Sequence, residues 1–407
     1  MPGDIAGGRT RLRSALMAAG LTNGPAELLD FLIPLWAGIA LGASPAQIGF
    51  LVALELAVSV VARPIAGRLA DSRKRELIAG LGALLYGLSC CGYALAGSLP
   101  LAYAAAAVGG VGGALLWVAL RAMVGEHLPR DSGVFARLMS VQETGVWVAF
   151  VAGLLLLGRF DSFPMIFFAG ALACLIGAVI LFLSPARTPE TVQSSGTQED
   201  QVSVTPQASR ALVASLRPML IATVITALAE TMIGILLLLH LQRELGLGVI
   251  EIAYVFLPGA ITLGVLPPVL HKVVLRVGRR AGMIAGSVLS GVFAISLAYA
   301  SGPLVIAALW ILCGVAWALV IPIEQAVITE KHPHQIGAAM GIYTAASLIG
   351  AAIGASVAGV LFDAASWQLT CFVAGAIILS GAAVGPWAIR KLGVADKPTQ
   401  QNVPLGS

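Results

Sequence analysis

Apolar residues in this chain come in long runs separated by short polar breaks. A bilayer core of about 30 Å takes roughly 20 apolar residues as a helix. Runs of that order fall near 16–41, 46–69, 76–97, 100–123, 134–157 and 163–184. A second set falls near 214–241, 248–271, 281–300, 303–327, 337–362 and 367–389. They are too long for strands and lack period-two alternation. The pattern predicts an all-α membrane protein of twelve transmembrane helices. Ser44-Pro45, Leu99-Pro100 and Gly302-Pro303 stand where the second, fourth and tenth spans open, as helix starts require. Residues 185–212 break the pattern: they are rich in Ser, Thr, Gln and Pro and read as a disordered linker in water. The chain therefore divides into a six-helix bundle over 1–184, a cytoplasmic linker over 185–212, a second six-helix bundle over 213–390 and a cytoplasmic tail over 391–407.

Composition agrees. The chain is 58% hydrophobic and 11% charged, with 47 glycines, whereas a soluble domain averages about 45–50% apolar and about 25% charged. The basic residues test the span count independently. With the N-terminus inside, Arg9, Arg11 and Arg13, the 68–75 loop, Arg130, Arg137, Lys272 to Arg280, Lys331, Arg390, Lys391 and Lys397 all fall on the cytoplasmic side. Only Arg159 and Arg243 fall outside. Both termini are expected to be cytoplasmic, and the Ala- and Gly-rich composition points to the inner membrane of a bacterial cell. The run after Arg13 is too long for a cleaved leader and reads as an uncleaved first span. The net charge of +4 forms no amphipathic basic face, so nucleic acid is not expected as a partner. Cys90, Cys91, Cys174, Cys313 and Cys371 lie inside apolar runs with no CxxC and no His at ligand spacing. They read as small hydrophobes, with no metal and no cofactor.

The two halves resemble each other at an offset of about 204 residues, as an internal repeat does. EHLPRDSG (126–133) matches EKHPHQIG (330–337), DSRKR (71–75) falls opposite LRVGR (275–279), and Ala26-Glu27 falls almost opposite Ala229-Glu230. Two parallel six-helix repeats suit rocking about a site at mid-membrane.

Between the second and third spans stands GRLADSRKR, Gly67 to Arg75, preceded by Pro64. This resembles the G-x-L-x-D-R-x-G-R-R loop of the major facilitator superfamily, and six plus six spans around a central linker resemble its architecture. Gly67 matches the family's first glycine, Asp71 its aspartate and Arg75 a following arginine. Ser72 replaces the usual arginine, and in the second copy Leu275 replaces the aspartate. The resemblance implies a gating role for Gly67, Asp71 and Arg75. Physically, Asp71 sits at the inner face, where it can meet the positive N-terminal end of a helix such as the eleventh near Gly337. Such a contact exists in one bundle arrangement and so biases the equilibrium between two. The fifth-span glycine pattern of drug–proton antiporters in the superfamily is incomplete here: Gly145 and Gly153 stand, but Ala149-Phe150 replaces the central Gly-Pro.

An ionisable residue at membrane depth costs about 2.5–3.5 kcal/mol on insertion scales and marks function. Glu27 and Asp30 lie midway down the first span, Glu55 in the second, Glu143 in the fifth, Glu230 in the seventh and Glu324 in the tenth. Glu27 and Asp30, three residues apart, share one helix face. Arg63 and Arg121 lie toward the cytoplasmic ends, where snorkelling or pairing is expected. A low dielectric favours the neutral acid, so unpaired carboxylates exchange protons near neutral pH. Glu27, Asp30, Glu55, Glu143 and Glu230 are therefore the candidate substrate- and proton-binding residues.

No nucleophile–base pair, metal cluster or phosphate-binding loop occurs in the sequence, so an enzyme is not expected. The leading expectation is a monomeric secondary transporter, an efflux-type member of the family. It exports a small organic molecule, a drug or metabolite, by antiport against a proton gradient. A proton-coupled uptake symporter for a sugar-like nutrient and a non-transporting sensor or passive facilitator stay open.

Overall fold

The computed structural model describes residues 2–185 and 206–398. Most of the expected linker and the end of the expected tail, 186–205 and 399–407, lie outside the described residues. The first half comprises α1 (Pro2–Ala40), α2 (Pro45–Ser72), α3 (Arg75–Leu95), α4 (Leu99–Gly125), α5 (Val134–Phe160) and α6 (Phe163–Phe182). The second comprises α7 (Pro206–Leu239), a π turn (His240–Glu244), α8 (Val249–Val265), α9 (Pro267–Val277), α10 (Arg279–Leu297), α11 (Pro303–Lys331), α12 (Ile336–Ala364) and α13 (Trp367–Leu392).

Helices follow from the solvent: lipid satisfies no backbone N–H or C=O, so each span must bond internally. Ten of these helices are long and apolar enough to cross a membrane, and α8 with α9 forms one bent span. With α1, whose apolar run is diluted by Asn23, Glu27 and Asp30, the spans number twelve. Ser44 caps α2 in a reciprocal box: its Oγ accepts from the Gln47 amide at 3.3 Å, and Gln47 Oε1 accepts from the Ser44 amide at 2.9 Å.

Three elements differ from the sequence reading. α7 begins at Pro206, inside the segment read as linker. α1 begins at Pro2, well before position 16 where the first span was read to start, and so carries the N-terminal arginines. The eighth span is not one helix: it bends by 58° between Val265 and Pro267. Pro267 and Pro268 lack amide donors and their rings crowd the preceding turn, which breaks the ladder there. α8, 17 residues and about 25 Å long, nearly crosses the apolar core, and α9 continues along the basic face.

The two halves pack alike. α1 lies on α5 and α6, and α3 on α4 and α6; correspondingly α7 lies on α12 and α13, and α10 on α11 and α13. Between apolar helices in lipid, close backbone approach replaces the hydrophobic drive. At the α1–α5 crossing a side chain on Gly145 would collide with the Gly20 carbonyl, and one on Gly24 with the Gly145 carbonyl. Large side chains such as Leu81, Leu88, Leu172 and Leu183 point outward toward lipid.

Arg73, Lys74, Arg130, Arg276, Lys331 and Arg390 gather at one end of the bundle, here called the basic face. The halves meet near that face. The end of α2 crosses the start of α12, and the start of α5 meets the end of α8 and α9. Asp71 bonded to Gly337 and Ala338, Ser132 to His271 and Ser140 to Gly264 join the halves near this face. The space between them is closed at the basic face and open at the other.

The α1–α5 crossing sets a test. Gly145→Val should destabilise the protein by about 1–3 kcal/mol, the usual cost of overpacking, seen as a lower thermal midpoint in detergent. Gly158→Val, with nothing within 4 Å of the added carbon, should leave the midpoint unchanged.

Candidate functional site

Two groups of residues make the site: carboxylates lining the space between the halves, and a charged lock at its closed end. Glu27 and Asp30 sit on one face of α1 and are exposed to a water-sized probe, although they lie mid-helix. That exposure leaves them open to the space between the halves. Glu55 on α2 is half-buried and accepts a hydrogen bond from the Tyr93 hydroxyl at 3.2 Å. Gly109 on α4 makes room for it: an added side-chain carbon there would stand 3.0 Å from Glu55 Oε1. Tyr93 is fixed by an aromatic cluster with Trp36 and Phe167.

Glu143 on α5 and Glu230 on α7 are half-buried. Among the described residues, no hydrogen bond or ion pair reaches Glu27, Asp30, Glu143 or Glu230. The acids nonetheless act on one another. Asp30 feels Glu55 and Glu27, and Glu230 feels Glu143, Glu324 and Glu27. The five carboxylates read from the sequence thus form one connected field spanning both halves.

Glu324 on α11 joins that field but is differently held. It is 1% exposed, and its oxygens accept from Thr223 Oγ1 at 3.1 Å and Thr226 Oγ1 at 2.9 Å on α7. A charge at membrane depth was visible in the sequence; the two threonines that satisfy it were not. Two cations lie toward the floor. Arg121 on α4 acts electrostatically on Glu27, and its buried Nε has no bond. Arg63 on α2 donates from Nε to Ser59 Oγ at 3.2 Å, a bond within its own helix. Gln142 on α5 donates to Asn23 Oδ1 at 3.3 Å and so ties α5 to α1. His240, at the far end of α7, stacks flat on Trp367 at 3.8 Å.

The lock is built on the motif loop. Asp71 Oδ1 accepts from the Gly337 amide and Oδ2 from the Ala338 amide, both at 2.7 Å. These are free amides of the first turn of α12, where the helix dipole also favours an anion. Gly67, one turn earlier on α2, allows the approach: a side chain there would collide with the Gly337 carbonyl. Arg75 holds Asp71 at 2.8 Å and bonds Glu126 at 2.7 Å and the carbonyls of Ala70 and Ala122. Arg11 extends the chain to Glu76 at 3.0 Å and Glu126 at 2.9 Å. The sequence had shown Arg11 only as a topogenic charge and Glu126 only as a repeat match.

The second half repeats part of this. Arg279 pairs with Glu330 as Arg75 pairs with Glu126, and both partners shift by the same offset of about 204 residues, the mark of a repeat. Arg279 also donates to the Ala395 carbonyl, and the Arg280 amide to Asp396, which fastens the segment after α13. Gly278 at φ +94° lets the chain turn from α9 into α10. In the loops at this face, burial holds the His127 and His332 imidazoles below their ordinary value.

A pseudo-symmetric pair of six-helix bundles around a cavity accessible from one face defines a secondary membrane transporter. The sequence profile of the Major Facilitator Superfamily matches residues 15–218 and again 219–405. The chain belongs to that superfamily. Solved structures of similar fold include the human organic anion transporter MFSD10 (TETRAN), with a TM-score of 0.75 and 16% identity over 93% of this chain and 99% of that one. The proton:xylose symporter XylE bound to 6-bromo-6-deoxy-D-glucose is similar with a TM-score of 0.74 and 15% identity over 97% and 98% of the two chains. At these identities the likeness is one of fold. No curated protein sequence matches the chain.

The lock can be tested directly. Asp71→Asn keeps the shape but removes the charge, and hydrogen bonds to charged groups contribute about 1.5–3 kcal/mol each. In an Ala338→Cys background it should raise the rate of labelling by a thiol reagent applied at the basic face about tenfold or more. An unchanged rate would show that Asp71 does not hold the two halves together.

Proposed function

We propose that this protein exports a small organic molecule, a drug or metabolite, across a bacterial inner membrane in exchange for protons, by alternating access. Both termini are cytoplasmic, because the basic face collects the Lys and Arg that stay inside. The state described is then outward-open. The observation that carries the reading is the set of four carboxylates, Glu27, Asp30, Glu143 and Glu230, that make no hydrogen bond or ion pair among the described residues and face the space between the halves.

A carboxylate without a partner in a partly dry cavity binds whatever neutralises it. Protons arriving from the outer face do so directly. A substrate carrying donors or positive charge competes for the same oxygens. Mutual exclusion at shared groups is what antiport requires: each ligand stabilises the arrangement it binds, and leaves in the other. Asp71, Gly67 and Arg75 set the energy of the outward-open arrangement by locking the cytoplasmic side. Glu55, held by Tyr93, and Glu324, held by two threonines, tie the cavity wall to α3 and α7.

The test begins with a thermal-shift screen of purified protein against drug, sugar, siderophore and amino-acid panels at two pH values. Transport of the hit is then followed in inside-out vesicles. Uptake should depend on the pH gradient, and Asp30→Asn or Glu230→Gln should reduce gradient-driven uptake at least about tenfold, within the usual range of coupling energies. Uptake indifferent to the gradient and to both substitutions would sink proton coupling. Accumulation in right-side-out vesicles instead would make the protein an uptake symporter.

A further inference from the structure

The closed cytoplasmic face has two seams between the halves, related by the repeat but built from different chemistry. At the first seam Gly67 of α2 packs on Gly337, and Asp71 one turn later bonds the start of α12. Shifted by the repeat offset of about 204 residues, the same positions in the second seam are His271 for Gly67, Gly133 for Gly337 and Leu275 for Asp71. The anion is lost. Its role toward the free Gly133 amide is taken by Asp131 Oδ1, from the loop leading into α5, at 3.0 Å. That bond lies within one half and does not cross the seam.

What crosses is an imidazole. His271 Nε2 and Ser132 Oγ share a hydrogen bond of 3.0 Å, and Ser132 is 8% exposed. The ring lies flush on Gly133, since an added carbon there would stand 3.0 Å from His271 Cδ2. About two turns deeper in α5 the Ser140 hydroxyl donates across the same seam to the Gly264 carbonyl.

We propose that His271 makes this seam responsive to cytoplasmic pH: the neutral ring closes α9 on the start of α5, and its protonation favours the inward-open arrangement. The inference rests on the reading that this face opens and closes during transport. A charge on the ring is disfavoured in the closed state first because the ring is half-buried against Gly133. Arg279 of α10 and Arg137 of α5 then face it with like charge. The positive end of α5 adds to this. The acids nearby are already committed: Asp131 to Arg137 and the Gly133 amide, Glu330 to Arg279, and Asp396 to the Arg280 amide. On α9 itself Lys272 and Arg276 are exposed. A cavity of about 20 Å³ beside Ser132, His271 and Arg279 has room for about one water.

The sign follows from linkage. The closed state holds the ring's proton less tightly than the open state, where water surrounds it. Protons therefore bind preferentially to the open state, and the open fraction rises as pH falls through the ordinary imidazole value of about 6.5. Each unit of difference between the two states is worth tenfold in their ratio at low pH, at most.

Spin labels on Pro129→Cys and Val277→Cys, both exposed positions flanking the seam, report its opening in lipid nanodiscs by distance measurement. Between pH 8 and 5.5 the ratio of long to short distances should rise about three- to tenfold with native His271. His271→Gln keeps a hydrogen-bonding amide for Ser132 but cannot titrate there, and should flatten that rise while the cavity acids still titrate. Ser132→Ala keeps the imidazole but loses the bond, and should open the seam more at pH 8 while retaining a pH response. An equal rise with and without His271, or none with it, overturns the proposal. Asp71→Asn in the same labelled protein separates the two readings. If it lengthens the distance while pH does nothing, the gate stands and the His271 role falls; if the distance never moves, the gate reading itself fails.

Discussion

One carboxylate and two backbone amides join the two halves of this protein at its basic face. Asp71 belongs to the first bundle and the amides of Gly337 and Ala338 to the second, so their bonds exist only while the halves are apposed. Amides in the first turn of a helix have no partner within it. In lipid or a narrow cleft they must find one, and an anion is the best available because the dipole adds to each hydrogen bond. Opening the face exchanges Asp71 for water at those amides. Water is a competent acceptor, so the net difference is small enough to reverse during transport. A hydrophobic seam of the same size would offer no comparable replacement.

Arg75 makes that contact specific. An aspartate at the membrane edge has many rotamers, and only one reaches both amides. The guanidinium pins it while bonding Glu126 and two helix-end carbonyls, and Arg11 pulls Glu76 and Glu126 into the same network. Every charge there has a partner, which is what buried ionic groups need in order not to cost stability. The pair Arg279 and Glu330 shows the same scaffold in the second half without the aspartate at its tip. The scaffold is therefore a feature of each bundle, joining its own helices, and the lock is an addition to one of them.

How far the sequence revealed this depended on whether a residue's environment is set locally or across the fold. Span positions were legible because lipid forces apolar length and helix together, and Ser44, Pro100 and Pro303 marked their starts. The meeting of Asp71 with the helix beginning near Gly337 was legible because a free helix end is a known charge and the motif supplied an anion on the same face. The break between α8 and α9 could have been read from Pro267-Pro268, but an unbroken apolar run outweighed it. Thr223 and Thr226 beside Glu324, and Ser132 beside His271, were not legible. Hydroxyls occur throughout such chains, and which of them meets a buried group depends on helix rotation and on the 58° bend, neither of which leaves a periodic trace.

The cavity acids and the lock also constrain each other. Four carboxylates without a hydrogen bond or ion pair among the described residues are tolerable only where water can reach them, and in this arrangement the space between the halves opens at the face opposite the lock. On the proposed function, a lock that opened with the outer side still open would let protons cross uncoupled. If both sides closed around unprotonated acids, several like charges would share a desiccated space, which Coulomb repulsion and lost hydration make costly. On the proposed function, neutralisation by protons or by substrate is the condition for passing through the closed intermediate. Coupling on this view needs no direct contact between Asp71 and the acids. It follows from the dielectric cost of closing an empty, charged cavity, and the lock only has to be weak enough to yield once that cost is removed.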